Sequence, residues 1–352
     1  MSFINMQKQL GKADYRLFRS IARLTGSERG DVLLGPMLGA DFGVVDLGNG
    51  RAVAVSTDPI YVNEHMPLRD AAWFAFHVIV ADVALSGLSP SHLALCWNLP
   101  PEMDDRTFLS MCRVFHSEAS SLNMSIVTGH TGRYVGCKPP VMGAGTSMAA
   151  GMKERLILPA RIRSGDRLIV TKTPGLETAL LLCHEFGQLL EDNVGRSVVA
   201  SLRKKLRMLS PVADAAAAAG VTGVNAMHDA SERGIYGALH ELSWASGLSF
   251  VLERENIPRD RDVEMVADFL GFDTLESSSE GTLLVVATED SAPVVVESLA
   301  KAGIRSGICG SVTRGRSRLT ELAPGGKQRN VGMPVTDGYL AAISAAKRKS
   351  GR

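Results

Sequence analysis

Cysteine is sparse in this 352-residue chain: Cys96, Cys112, Cys137, Cys183 and Cys309 are scattered and form no C-x-x-C pair. An odd, dispersed set argues against a disulfide framework and suits reduced thiols in the cytosol. Neither sign of charge is in excess, since 38 Lys and Arg stand against 37 Asp and Glu. The like-charge clusters are the short run Arg203-Lys204-Lys205 and a basic stretch from Lys347, far from the basic footprint that nucleic acid requires. Long apolar runs are missing as well. The most apolar stretch, Ala71 to Leu85, is broken by His77 and Asp82 and falls short of the roughly 18 to 20 residues of a membrane span. Met1 to Gly11 has no apolar core of the kind a secretory signal carries. No G-x-G-x-x-G opens a helix and no G-x-x-x-x-G-K-[ST] is present, so a nucleotide would need some other device to hold its phosphates. These absences together predict a soluble cytoplasmic protein with no nucleic-acid or membrane partner.

The length predicts two domains. A helix from Tyr15 to Leu24 is followed by short β-runs around the turn Gly48-Asn49-Gly50, a strong hairpin signal. A helix over 68–86, a strand over 93–97, a helix over 105–122 and a strand over 125–127 come next. The glycine-rich stretch Thr128 to Gly132 reads as a turn, and a strand over 141–148 closes the half. After Gly165-Asp166 the pattern restarts, with strands near 167–171, 249–252, 283–288 and 307–312. Helices are predicted from Gly175 to Glu185, over 211–219, from Gly234 to a C-cap at Gly247, and over 292–302. The alternation predicts an α+β protein, with domains over 1–155 and 156–335 and a Lys/Arg/Ser-rich tail, 336–352, whose last dozen residues fray.

Three aspartates of the first half stand where a bare carboxylate calls for a partner. Asp41 follows Gly39-Ala40 in a glycine-rich turn, and Asp58 follows Thr57 at the end of a β-run. Asp82 lies inside an apolar helix, where an ionised side chain needs a metal or a partner. Carboxylates gathered from separate elements suit Mg2+ and the phosphates it carries, although a turn residue and a strand-end cap would equally explain Asp41 and Asp58. In Gly129-His130-Thr131-Gly132 the glycines allow backbone N–H groups close to an anion, and His130 is a candidate for phosphate or metal or a hydrogen-bonded turn residue. In Met227 to Gly234, Asp229 or Ser231 is a candidate N-cap of the following helix. That leaves His228, Glu232 and Arg233 gathered at a helix N-terminus, where anions are favoured.

Six motifs in order, spanning about residues 11 to 315, resemble the AIR-synthase-like superfamily, and within it the HypE-related branch and thiamine-monophosphate kinase. They are Val32 to Asp41, Ser56-Thr57-Asp58-Pro59, Asp82 to Pro90, Gly129-His130-Thr131, Met227-His228-Asp229 with Glu232 and Gly234, and Glu280-Gly281-Thr282. The resemblance implies two α+β domains and a homodimer in which the first domains pair their sheets. It further implies ATP along that junction, with metal held by Asp41, Asp58 and Asp82. Gly39, Thr57, Gly129, His130 and Thr131 would contact the nucleotide, and His130, Asp229 and Glu232 would serve catalysis. The family chemistry is ATP-driven activation of an oxygen by phosphorylation or dehydration. Its acceptor here, a small molecule or a protein group, is not named by the sequence. Ala81 replaces the usual Asn before the helix Asp, Arg233 replaces a Gly, and Gly132 stands where the related branch tends to have Glu. A degenerate member that only binds or assembles is therefore the alternative. HypE carries its reactive cysteine in a C-terminal tail. No cysteine follows Cys309 here, so that reaction is expected to be closed unless Cys137, in a loop beside Lys138, supplies the thiol.

Overall fold

A computed structural model describes residues 11–13 and 15–351. Residues 1–10, where the absence of an apolar signal core was noted, lie outside the described residues. The first half contains α1 (Tyr15–Ile21), β1 (Val32–Leu34), β2 (Gly43–Gly48), β3 (Arg51–Tyr61), α2 (Leu68–Ala84), β4 (His92–Leu99), α3 (Asp105–Ser121), β5 (Ser125–Arg133) and β6 (Val141–Met152). The strands form one sheet in the order β1-β2-β3-β6-β4-β5. All its pairs are antiparallel except β4 with β5. The hairpin forms at Gly48-Asn49-Gly50, whose three residues all take positive φ, as a primed turn demands. Along β3, buried residues alternate with more exposed ones, the mark of a sheet covered on one face. The cover is α2, with α3 beside it.

The second half adds β7 (Arg167–Thr171), α4 (Leu176–Glu185), α5 (Gly187–Asn193), α6 (Arg196–Lys204), α7 (Val212–Ala219), β8 (Val224–Ala230), α8 (Gly234–Ser246) and β9 (Ser249–Glu253). It continues with α9 (Arg261–Leu270), β10 (Ser279–Ala287), α10 (Ala292–Lys301), β11 (Ser306–Thr313), β12 (Leu319–Leu322), β13 (Gln328–Val331) and α11 (Gly338–Ser350). The sheet order is β13-β12-β9-β11-β7-β10-β8. One face packs on α8 through Ile235, Leu239 and Leu242, and the opposite face shares a core with α4, α6, α7, α9 and α10. Every residue of β10 is therefore buried.

The two halves meet on α2, which touches β3 and β6 on one side and α7 on the other. A helix covered all round has no polar stripe, which accounts for its apolar sequence. Among the described residues, no helix is long and apolar enough to cross a membrane.

Two expectations are corrected. Thr128 to Gly132 is no turn but the body of the edge strand β5, where the Gly129 backbone lies so close to β4 that a Cβ would sit 2.4 Å from the Leu95 carbonyl oxygen. The tail does not fray over 338–350. Ala342, Ala345 and Ala346, at i, i+3 and i+4, bury a small-residue stripe of α11 against α4 and α9.

Candidate active site

A cavity of about 500 Å3 lies between the halves. It is lined from the first half by Asp41, Thr57, Asp58, Tyr61, Phe74 and Asp82, and from the second by Glu177, Asp229, Glu232, Glu280 and Asp337. Local backbone geometry explains how several of these carboxylates are delivered. Gly39, at φ 81°, lets the β1–β2 loop press on α8, since a Cβ there would sit 2.7 Å from the Glu241 carbonyl oxygen and 2.8 Å from the Ala245 Cβ. That contact brings Asp41 to the second domain. Glu280 and Gly281 fall where the register of β10 against β8 slips, between Ser279 opposite Ala230 and Leu283 opposite Asp229. A bulge of this kind re-aims a side chain. Gly281, at φ 87°, permits it, because a Cβ there would lie 2.3 Å from the Met208 carbonyl oxygen.

Crowded carboxylates deprived of water resist ionisation. Burial, reinforced by Asp41 and Asp229, pushes Asp58 up to about 7. Burial holds Asp82 and Glu280 well above the carboxylate range, with Asp58 adding to the first and Asp229 to the second. Burial likewise raises Glu177 to about 8, although its Oε2 accepts the Glu280 N–H at 2.8 Å. Three oxygens here are buried without any hydrogen-bond partner: Asp58 Oδ2, Asp229 Oδ1 and Glu280 Oε1. Ligand atoms of Asp41, His228 and Asp229 also lie within 4.8 Å of one another. Unsatisfied hard oxygens converging on one space fit a divalent cation.

His228 plays a different part. Its Nδ1–H donates to the Asp229 carbonyl oxygen at 2.8 Å and its Nε2–H to Glu241 at 3.2 Å. Burial disfavours its cation, but the Asp229 and Glu241 hydrogen bonds and the Asp41 charge outweigh that and push it up to about 10. An imidazolium with both nitrogens donating cannot ligate a metal; it positions Asp229. Lys12 joins the cluster at 3.2 Å from Asp41 and 3.0 Å from Glu241.

Of the residues singled out by sequence, Asp41, Thr57, Asp58, Asp82, Asp229 and Glu232 line the cavity, and Gly39 shapes it. Gly129, His130 and Thr131 do not. Asp58 registers with Gly145, Gly145 with Leu95, and Leu95 with Gly129, so three strand spacings, about 14 Å, intervene. His130 is exposed, and its Nε2 bonds the Tyr134 hydroxyl at 2.7 Å. Cys137 is not among the lining residues. The expected cap of α8 by Asp229 or Ser231 is absent: α8 has no side-chain cap from its own N-cap residue. The Ser231 carbonyl instead accepts N–H bonds from Gly234 and Ser279, and the Arg233 N–H donates to Asp337 at 2.5 Å.

Lys12, Glu177 and Asp337 were missed by sequence reasoning. The only local signal was Asp337 followed by Gly338-Tyr339, an N-cap pattern that the structure shows as Tyr339 N–H to Asp337 at 2.7 Å.

Residues 39–149 match the family model for the N-terminal domain of AIR synthase related proteins, and residues 163–320 match the model for the C-terminal domain. A putative hydrogenase expression/formation protein of Methanocaldococcus jannaschii is 24% identical over 277 residues, 77% of this chain and 78% of that protein. Carbamoyl dehydratase HypE of Rhodobacter capsulatus is 27% identical over 275 residues, 74% of each. Among solved structures, the hydrogenase maturation protein HypE in complex with ATP superposes with a TM-score of 0.67 at 20% identity, covering 94% of this chain and 97% of that one. AaThiL complexed with AMPPCP and TMP gives 0.69 at 18%, covering 93% and 96%.

Proposed function

The chain belongs to the AIR synthase related family as a relative of HypE, and from that premise we propose that it is an Mg-ATP-dependent enzyme. In this reading it passes the terminal phosphoryl group to an oxygen of an acceptor, either as the product or as activation before dehydration. The carrying observation is the set of buried, unpartnered carboxylate oxygens on Asp58, Asp229 and Glu280 in one inter-domain cavity. Relatives of the same fold, solved with ATP and with AMPPCP, support the choice of nucleotide.

Asp41, Asp58 and Asp82 would hold Mg2+, with Asp229 and Glu280 within reach of a second ion. When bound, the metal screens the phosphate charge and aligns the reacting oxygens. The chain's own groups do the rest. His228, through its hydrogen bond to the Asp229 carbonyl oxygen, fixes Asp229 beside the acceptor. Lys12, which lies among the carboxylates, is a cation available to an incoming phosphate. Glu232, exposed at the rim of the cavity, takes the proton from the acceptor hydroxyl or amide as its oxygen bonds to phosphorus.

Gly129, His130 and Thr131 enter this reading only through a second copy of the chain. The exposed edge strand β5, with Ile126 and Val127 open to solvent, is an unpaired edge of the kind that pairs between subunits. A homodimer formed there would bring them to the nucleotide of the assembled site.

Calorimetric titration with a non-hydrolysable ATP analogue and Mg2+ tests the proposal. Saturable binding that is weakened at least tenfold by Asp58→Asn is expected. Absence of binding, or binding indifferent to Asp58→Asn, rejects it.

A further inference from the structure

Backbone that a bulge pulls out of register must find polar partners elsewhere. β10 registers with β7 from Leu284 to Ala287. Upstream, from Ser278 to Leu283, the partners come from the segment that leads from β7 into α4. The Leu283 N–H donates to the Thr171 hydroxyl at 3.0 Å, and the Thr282 hydroxyl to the Thr173 carbonyl at 2.9 Å. The Glu280 N–H donates to Glu177, and the Gly175 N–H to the Ser279 hydroxyl at 2.6 Å. The Thr178 hydroxyl donates to the Ser278 carbonyl at 2.9 Å. Ser278 is fixed in turn by Asp337, the cap of α11, which accepts its N–H at 3.1 Å and its hydroxyl at 2.8 Å. Tyr339 and Leu340 of α11 line the cavity, so one network sets both the bulge and that wall.

The Gly281 carbonyl, at the bend itself, has a different kind of partner. It accepts from the Lys172 Nζ at 3.0 Å, and the same Nζ lies 2.7 Å from the Ser210 carbonyl and 2.8 Å from Asp214 Oδ2. Three acceptors use all three donors of an ammonium and leave none for a ligand. Lys172 is buried, as is Asp214, and it is not among the lining residues of the cavity. Its backbone is left-handed, at φ 56°, a conformation that strains any residue with a Cβ. An apolar pair of similar volume often stabilises a fold as well as a buried ion pair does, so stability alone does not account for an ammonium here. What it does is tie two backbones together. Gly281 lets β10 approach residues 208 and 209 so closely that no Cβ fits, and Lys172 bonds both sides of that contact, at Gly281 and at Ser210. Its counter-ion Asp214 belongs to α7, which packs on α2, the helix that carries Asp82.

Resting on the metal-nucleotide reading above, we propose that Lys172 is a positioning residue for the site. Its ammonium, held by Asp214, locks the Gly281 carbonyl and thereby aims the neighbouring Glu280 carboxylate into the cavity. Glu280 Oε1 is buried and makes no hydrogen bond within the protein, so the backbone that carries it sets its direction.

Two measurements on the full chain test this. Both compare the parent with Lys172→Met combined with Asp214→Val, which removes the two charges together and leaves no lone buried ion to unfold the protein. In the first, amide hydrogen exchange is followed by mass spectrometry without metal or nucleotide. Residues 279–283 are expected to lose about tenfold or more in protection while β9 and β11 keep theirs. Unchanged protection, or a loss shared equally by β9 and β11, overturns the proposal. In the second, Mg2+ is titrated calorimetrically with the non-hydrolysable ATP analogue present. The double variant is expected to bind Mg2+ about tenfold more weakly than the parent. When both chains also carry Glu280→Gln, the difference is expected to shrink below about twofold, because the effect runs through that carboxylate. No loss, or a loss undiminished beside Glu280→Gln, overturns the proposal. A parent that binds no Mg2+ with the analogue rejects the nucleotide reading instead. In that case, or if Glu280→Gln alone abolishes ion binding, the exchange result decides whether Lys172 holds the bulge.

Discussion

Strands β5 and β10 both carry a glycine-containing motif that the sequence singles out, Gly129-His130-Thr131 and Glu280-Gly281-Thr282, yet they sit at opposite extremes of the molecule. Nearly all of β5 is exposed at the free edge of one sheet, whereas β10 is wholly buried inside the other. In β10 the glycine permits a bulge at φ 87° that aims a carboxylate into a cavity. In β5 the parallel pairing with β4 also slips, at Val127 just before the glycines, yet His130 stays exposed and bonds its neighbour Tyr134. Both Gly129 and Gly281 leave no room for a Cβ, so a glycine beside a reactive side chain marks a site only when the surrounding layers also enclose a cavity for that side chain to enter.

The comparison can be broken from the β10 side first. Gly281→Val combines a left-handed backbone with a near-contact to the Met208 carbonyl, so a loss of about 3 kcal/mol or more is expected, measured by denaturant unfolding. A loss below about 1 kcal/mol would show that the bulge relaxes freely. Next comes the acidic cluster that the bulge helps to build. Asp58 has its folded-state pKa raised to about 7 from 3.8, so between those values the folded chain binds more protons than the unfolded one. The metal-free protein should therefore lose stability as pH rises from 4 to 7, by ~3 kcal/mol from this group. Asp58→Asn should lessen that slope in thermal melts, leaving the part due to Asp82, Glu177 and Glu280. The same protons must leave when metal binds, so Mg2+ affinity should climb between pH 6 and 8, with proton release visible as buffer-dependent heat; a flat profile would contradict the assignment. On the β5 side, Val127→Lys is expected to leave unfolding within ~0.5 kcal/mol of the parent but to shift any dimer toward monomer in sedimentation. The smallest effect belongs to His130→Ala. It is expected to change stability by no more than ~0.5 kcal/mol and to weaken nucleotide binding only where the dimer is intact.

Much of the architecture was legible because its signals are local. The Asn-Gly hairpin, the restart after Gly165-Asp166 and the Gly247 stop of α8 each rest on a few adjacent residues. Asp82 was legible by contrast, as a carboxylate in an apolar helix, and the helix proved to be the seam between the halves. The β5 run was misread because glycine, histidine and threonine together look like a turn until the free edge of the sheet is known. Helices α5, α6 and α9 escaped because they are short and bury only one narrow face each. Helix α11 escaped because its basic and serine residues mask three alanines spaced to pack. Glu177 and Lys12 carry no local signal, since each becomes a site residue only when distant segments close around one cavity.

The hold that Asp337 exerts on α11 has a consequence for how the protein is made. Chains emerge from the ribosome N-terminus first, and every strand of both sheets precedes residue 337. A nascent chain can thus pair all its strands and still present an open, strongly acidic cleft. Asp337 can reach the Arg233 and Ser278 amides only after that, so the α11 wall of the cleft is laid down later in synthesis than every described strand.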